Sequence, residues 1–278
     1  MAHEADTRAS HRTVGPRSLL RAGMRGVSLA GAAARRVSRG VPRELLSRDL
    51  PLVHEVAATG APDAGVAVAR YRDLAGSYDL LTAAGGVYRR QAVHVLAPAA
   101  GETIVDVGCG TGLNFDLIEC GIGPGGRLIG LDLSAEMLDR ARERVEEHGW
   151  ENVVLLQGGA QEAQIPWEAD AALLCGVHDV MRSPPALANV LRQLVAGGRV
   201  IAAGPKWTSW SRPDGVALNL STWAMNRDYV TTFEGFARPW SHLAGLVDDL
   251  EVHEVFLGGG YIARARTASS RRSHRRSR

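Results

Sequence analysis

The stretch Ile104-Val105-Asp106-Val107-Gly108-Cys109-Gly110-Thr111-Gly112 decides the fold. Thr103–Val107 is a β-branched run with the character of a buried strand. Glycines follow at 108, 110 and 112, where they let the backbone turn sharply and approach a ligand closely. Residues 113–118 then read as the start of a helix, and residues 127–131 as a second strand ending at Asp132. In open α/β sheets, ligands bind beyond the carboxyl ends of such strands. A carboxylate at Asp132 can accept both hydroxyls of a ribose there.

Working outward, the alternation continues. Ala135–His148 reads as a helix with Met137, Leu138, Ala141 and Val145 on one face and Ser134 as its N-cap. Residues 153–156 and 171–175 read as the third and fourth strands. Residues 185–195 read as a helix closed by Gly197-Gly198, and 199–203 as the fifth strand. Residues 250–256 and 261–265 form a late strand pair around Gly258-Gly259-Gly260. This order predicts an α/β fold with a doubly wound, mostly parallel, seven-stranded Rossmann-like sheet and an antiparallel last strand.

The glycine spacing narrows the ligand. A nicotinamide dinucleotide turn places its third glycine three residues after the second, and that position here is Leu113. Asp106 just before the loop would repel a pyrophosphate, whereas it suits a ligand bearing an ammonium and a sulfonium, such as S-adenosylmethionine. The competing readings are a tight turn with no ligand and an oxidoreductase using a nicotinamide cofactor, the latter disfavoured by the spacing.

These residues resemble motif I and the following acidic position of class I S-adenosylmethionine-dependent methyltransferases. The resemblance is specific at 105–112 and 130–132 and looser over residues 70–266. It implies S-adenosylmethionine as cofactor. Asp106, Gly108, Gly110 and Gly112 would then lie near its amino-acid end, Asp132 at the ribose, and Leu133 and Met137 along the adenine. Residues 70–81, with Tyr71 and the pair Tyr78-Asp79, look like the helical cover of quinone-biosynthesis and phospholipid methyltransferases, which makes Tyr78 a substrate candidate. One position departs from the family. Where it usually has an Asp to receive the adenine amino group, this chain has Gly159, followed by Ala160, Gln161 and Glu162. The Ala160 N–H remains available to adenine, and Gln161 or Glu162 can replace the acceptor. Losing one neutral hydrogen bond costs about 0.5–1.5 kcal/mol, a weakening rather than a loss.

Methyl transfer from a sulfonium is an in-line displacement, so positioning does much of the work. A base is needed only for a protonated nucleophile. After the fourth strand, Cys175-Gly176-Val177-His178-Asp179 supplies a candidate base in His178 and a candidate cation ligand in Asp179. The bland reading of His178 is a backbone hydrogen bond at a helix start. Between the fifth and sixth strands come Trp207, Trp210, Trp223, Tyr229, Phe233, Phe236 and Trp240. Such a segment can cap the site, with Trp207 against a hydrophobic or lipid-like acceptor or a cationic amine; equally, it can be a local mini-core. A non-catalytic S-adenosylmethionine-binding regulator or scaffold is the second functional class.

The composition bounds the rest. The 278 residues carry a net charge of +2, and Lys206 is the only lysine among 32 basic side chains. The charge is lopsided: +6 over residues 1–50, −11 over 51–262 and +7 over 263–278. The expected division is therefore an arginine-rich extension at 1–69, a catalytic domain at 70–266 and a Ser/Arg tail at 267–278. Arg17, Arg21 and Arg25 share one face of any helix formed there, so the extension offers peripheral contact with an anionic membrane; the alternative is a disordered extension. The acidic body argues against a nucleic-acid substrate. Three cysteines without metal-ligand spacing predict no metal and a reducing, cytoplasmic setting.

Overall fold

The computed structural model describes residues 86–227 and 230–269, all within the unit Pro51–Arg278. The expectations for residues 1–69, the cover at 70–81 with Tyr78, and the tail from 270 lie outside the described residues.

The sheet grows outward from β1 (Thr103–Val107), whose five residues are all buried. On one side lie β2 (Arg127–Asp132) and β3 (Val153–Gln157); on the other lie β4 (Ala169–Cys175) and β5 (Leu194–Pro205). These four pairings are parallel. β7 (Gly260–Arg266) runs antiparallel between β5 and β6 (Glu251–Val255). The order β3-β2-β1-β4-β5-β7-β6 reverses winding at β1, so the turns after β1 and β4 flank a crevice at the carboxyl edge. The seven-stranded, mostly parallel fold is as the sequence predicts.

Alternating side chains supply two apolar layers. Val105, Val107, Ile129, Leu131 and Leu174 face Leu187 and Val190 of α5 (Pro184–Arg192). Ile104, Leu128 and Leu173 face α1 (Gly86–Leu96), α2 (Phe115–Ile122) and α3 (Ala135–His148). Phe115 seats α2 against β2 because two glycines clear its ring. A Cβ at Gly130 would lie 2.8 Å from its Cζ, and one at Gly112 would lie 2.7 Å from its ring. The predicted cap of α3 is present, with Ser134 Oγ accepting from Met137 N at 3.2 Å.

Three boundaries differ from the sequence reading. α2 starts at Phe115 rather than 113, because Gly108, Gly110 and Gly112 all adopt positive φ and keep the chain out of helical geometry. The helix expected at 185–195 ends at Arg192. Leu194 already pairs with Ala169, and the ladder resumes at Ala171 with Arg199, leaving 195–198 as an irregularity within β5. β6 stops at Val255, because Phe256 and Leu257 leave extended geometry at φ 53° and 56°.

Candidate cofactor and acceptor site

The glycine turn is fastened to the neighbouring strand. The N–H groups of Gly108 and Cys109 both donate to the Leu131 carbonyl, at 2.7 and 3.0 Å. Asp132 closes the turn: its Oδ2 accepts from Gly110 N and its Oδ1 from Ser134 N, each at 2.9 Å. Burial raises the Asp132 pKa, while the N–H donors of Ser134, Gly110 and Leu133 oppose that rise. Gly108 meets the other side of the crevice, since a Cβ there would stand 2.4 Å from Val177 Cγ1.

Asp106 lies beneath the turn and is buried. Asn114 Nδ2 donates to both of its oxygens, at 3.2 and 3.0 Å. Burial pushes Asp106 up to about 7; the Asn114 bond lowers it, and the Asp132 charge adds to the rise. Asn114 Oδ1 is buried without a hydrogen-bond partner among the described residues. That acceptor dipole thus belongs to the same side chain that holds the buried Asp106 carboxyl, with the half-buried Asp132 charge acting on Asp106 as well. With the positive-φ glycines, this donor-poor cradle fits a cationic ligand better than an anionic one.

The remaining cofactor candidates gather nearby. Leu133 is half-buried and Met137 fully buried. Gly158 N donates to the Asp132 carbonyl at 2.9 Å, which brings the ends of β2 and β3 together. At Gly159 the missing side chain is replaced locally: Glu162 Oε1 lies 3.3 Å, and Gln161 3.6 Å, from where its Cβ would be. Ala160 is buried, and its carbonyl accepts from Asn189 Nδ2 at 3.0 Å.

On the acceptor side, α4 (His178–Met181) and its C-cap Arg182 hold the segment before α7 (Ser241–Ala244) through three side chains. His178 Nε2 donates to the Glu234 carbonyl at 2.9 Å. Asp179 Oδ1 accepts from Thr231 Oγ1 at 2.7 Å, and Arg182 Nη2 pairs with Glu234 Oε2 at 2.6 Å. The His178 ring meets Phe236 edge-on at 4.4 Å. Trp207 packs on Phe233, Phe236 and Trp210 with centroids 5.1–5.5 Å apart. His178, Asp179 and Trp207 are therefore brought into one aromatic and hydrogen-bonded assembly. Burial lowers the His178 pKa to about 4, the Glu234 carbonyl opposes that shift and Arg182 adds to it. Its Nε2 is committed to a backbone carbonyl.

Sequence reasoning missed three residues here. Asn114 had a legible signal, a polar side chain two residues beyond the last glycine at the start of an apolar helix. Tyr88 and Arg89 on α1 had none. The Tyr88 hydroxyl lies 3.5 Å from where a Cβ on Gly176 would be. Burial and the Asp106 charge push the Cys175 thiol up to about 12, against the opposing Arg89 charge.

Residues 104–198 match the methyltransferase domain family. Together with the sheet order and the glycine turn, this match gives residues 104–198 the fold and the cofactor turn of a class I S-adenosylmethionine-dependent methyltransferase domain. A demethylmenaquinone methyltransferase of Lactococcus lactis is 33% identical over 41% of this chain and 46% of its own length. An arsenite methyltransferase of Halobacterium salinarum is 33% identical over 37% of this chain and 27% of its own. The chain thus spans about half or less of these relatives' lengths. Two solved structures share the fold at 16% identity. One is a Nostoc punctiforme protein assigned as an O-methyltransferase, with TM-score 0.54 over 71% of this chain and 60% of its own. The other is a Haloferax volcanii chain described as a methyltransferase, solved with the Trm112 activator, with TM-score 0.53 over 71% and 97%.

Proposed function

We propose that this protein transfers a methyl group from S-adenosylmethionine to a small, apolar, lipid-like acceptor with an aromatic ring, in the cytoplasm. The observation that carries the proposal is the crevice between the β1 and β4 turns, with a cation-favouring cradle on one side and the Trp207–Phe233–Phe236 cluster, fastened through His178, on the other. The names of the demethylmenaquinone methyltransferase relatives support a ring acceptor of the quinol class.

The bound cofactor supplies an electrophilic methyl group on a sulfonium. Asp106 and Asn114 Oδ1 favour its cationic amino-acid end, and Asp132 offers the remaining lone pairs of its two oxygens to the ribose hydroxyls. The aromatic cluster excludes water and orients the acceptor ring for in-line approach. With its pKa near 4, His178 is a weak base, so its part is to position the aromatic cover, and the acceptor reacts as an anion or through carbon.

A thermal-shift assay tests the cofactor reading. S-adenosylhomocysteine should stabilise the protein and NAD should not; the reverse would overturn it. Transfer of labelled methyl to a demethylated naphthoquinol tests the acceptor. Binding of S-adenosylhomocysteine without turnover on this acceptor or on arsenite would favour the non-catalytic regulator.

A further inference from the structure

Two tyrosines flank a stretch of the carboxyl edge that two glycines leave bare. Gly176 follows β4, and a Cβ on Gly204 of β5 would stand 3.9 Å from the Gly176 backbone. From α1, the Tyr88 hydroxyl lies 3.5 Å from where a Cβ on Gly176 would be. From β7, the Tyr261 ring edge lies 3.6 Å from where a Cβ on Gly204 would be. The floor between them is fixed, because Gly176 N donates to the Ala203 carbonyl at 2.8 Å.

Tyr261 is 3% exposed, and among the described residues its hydroxyl has no hydrogen-bond partner. A buried hydroxyl in that state costs stability unless a ligand completes it. Burial and the Cys175 charge push the Tyr261 phenol up, so it keeps its proton and donates. Arg89, next to Tyr88 on α1, sets a positive charge against that of Asp106 at Cys175. The wall behind Tyr261 is fixed as well. Lys206 N donates to the Gly259 carbonyl at 3.0 Å and its Nζ to the Gly258 carbonyl at 3.2 Å, pinning the start of β7 and the turn with the exposed Phe256 and Leu257. α6 (Pro213–Asn226) turns Gly215, Asn219 and Thr222 inward, and Asn219 hydrogen-bonds both the N–H and the carbonyl of Thr208.

We infer that Tyr88 and Tyr261 are the donors that hold the reacting oxygen of the acceptor over Gly176 and Gly204, and that this oxygen is the oxyanion of an acidic hydroxyl, a phenol or an enol. The inference rests on the ring-acceptor reading and deepens it: it says how an acceptor reacts as an anion where His178 takes no proton. The hydroxyl proton passes to bulk water before the anion enters. Two O–H donors and the Arg89 charge then hold the anion, and no bond is made or broken at the tyrosines. Donors placed in advance around an oxyanion are the strong kind.

The test uses the full chain saturated with S-adenosylhomocysteine and two probes, 4-nitrophenol, whose anion is yellow, and nitrobenzene, the same ring without the hydroxyl. At a pH where the free phenol is half ionised, the parent should deepen the phenolate band. Tyr88→Phe and Tyr261→Phe should each weaken the phenolate about 10–100-fold, the worth of a hydrogen bond to a charged group. Both variants keep the ring, including the Tyr261 contact with Trp240 at 5.2 Å, so nitrobenzene binding and stabilisation by S-adenosylhomocysteine should stay unchanged. Unchanged phenolate affinity in both variants would overturn the inference, as would an equal loss of nitrobenzene. Nitrobenzene bound by the parent as tightly as 4-nitrophenol would overturn it alone and leave the ring acceptor standing. A parent that binds neither probe while S-adenosylhomocysteine still stabilises it would overturn the ring acceptor and this inference together.

Discussion

Asp132 Oδ2 accepts the Gly110 N–H at 2.9 Å and so clasps the glycine turn to the end of the second strand before any ligand arrives. The carboxylate that is expected to hold the ribose also shapes the loop expected to hold the rest of the cofactor. Asp132→Ala should therefore cost about 1–3 kcal/mol of stability through the unpaired Gly110 and Ser134 donors. It should also weaken S-adenosylhomocysteine by about 10–100-fold, since hydrogen bonds to a charged group are the stronger kind. Calorimetric titration beside a melting curve separates the two effects, and unchanged affinity would remove Asp132 from the ribose.

Asp106 makes cofactor binding pH-dependent. Its pKa near 7 in the free protein comes mainly from burial, and a cationic ligand favours the ionised form. Below pH 7 the group must release a proton for that ligand to bind, so affinity should rise by about tenfold from pH 6 to pH 8. Asp106→Asn should flatten the profile. In the ligand-free protein the sign is opposite. A carboxyl raised from 3.8 to about 7 loses stability as pH rises between those values.

His178 should act through position rather than through its proton. Its pKa is lowered to about 4 from 6.5, so its contribution to stability is fully present above 6.5 and is lost as pH falls toward 4. Against the opposite contribution of Asp106, the difference in melting temperature between the parent and His178→Phe should shift in favour of the parent between pH 4.5 and 6.5, with a cost of about 1 kcal/mol for the variant near neutrality. The kcat profile should show no step near pH 6.5. Such a step, absent in His178→Phe, would restore His178 as the base.

The glycines are not equivalent. Gly108→Ala drives a Cβ to 2.4 Å from Val177 at φ 66°, joining backbone strain to a clash across the crevice. Gly197→Ala meets nothing within 4 Å at φ 74° and carries strain alone. Denaturant unfolding should show about 1–2 kcal/mol for Gly197→Ala and clearly more for Gly108→Ala. Equal losses would mean that the β4 turn yields freely.

Sequence by itself determined the βαβ order, the helix Ala135–His148 with its Ser134 cap, the antiparallel closing pair and the cluster of candidate cofactor residues. These rest on local rules of period, capping and turn chemistry, all written within a few residues of one another. The ends of α2 and α5 were less legible, because three positive-φ glycines delay the first, and β4 draws Leu194 into the sheet past the second. Only the tertiary structure decided what surrounds each polar group. Asn114 meets Asp106 across eight residues, and His178 meets Glu234 across 56. The inward Asn219 stripe of α6 depends on Thr208, and the exposed Phe256–Leu257 tip depends on a turn anchored by Lys206. Sequence spacing carries the propensity of a segment, but burial and hydrogen-bond partnership arise only when distant segments pack, and those two quantities set the charge state of Asp106 and the role of His178.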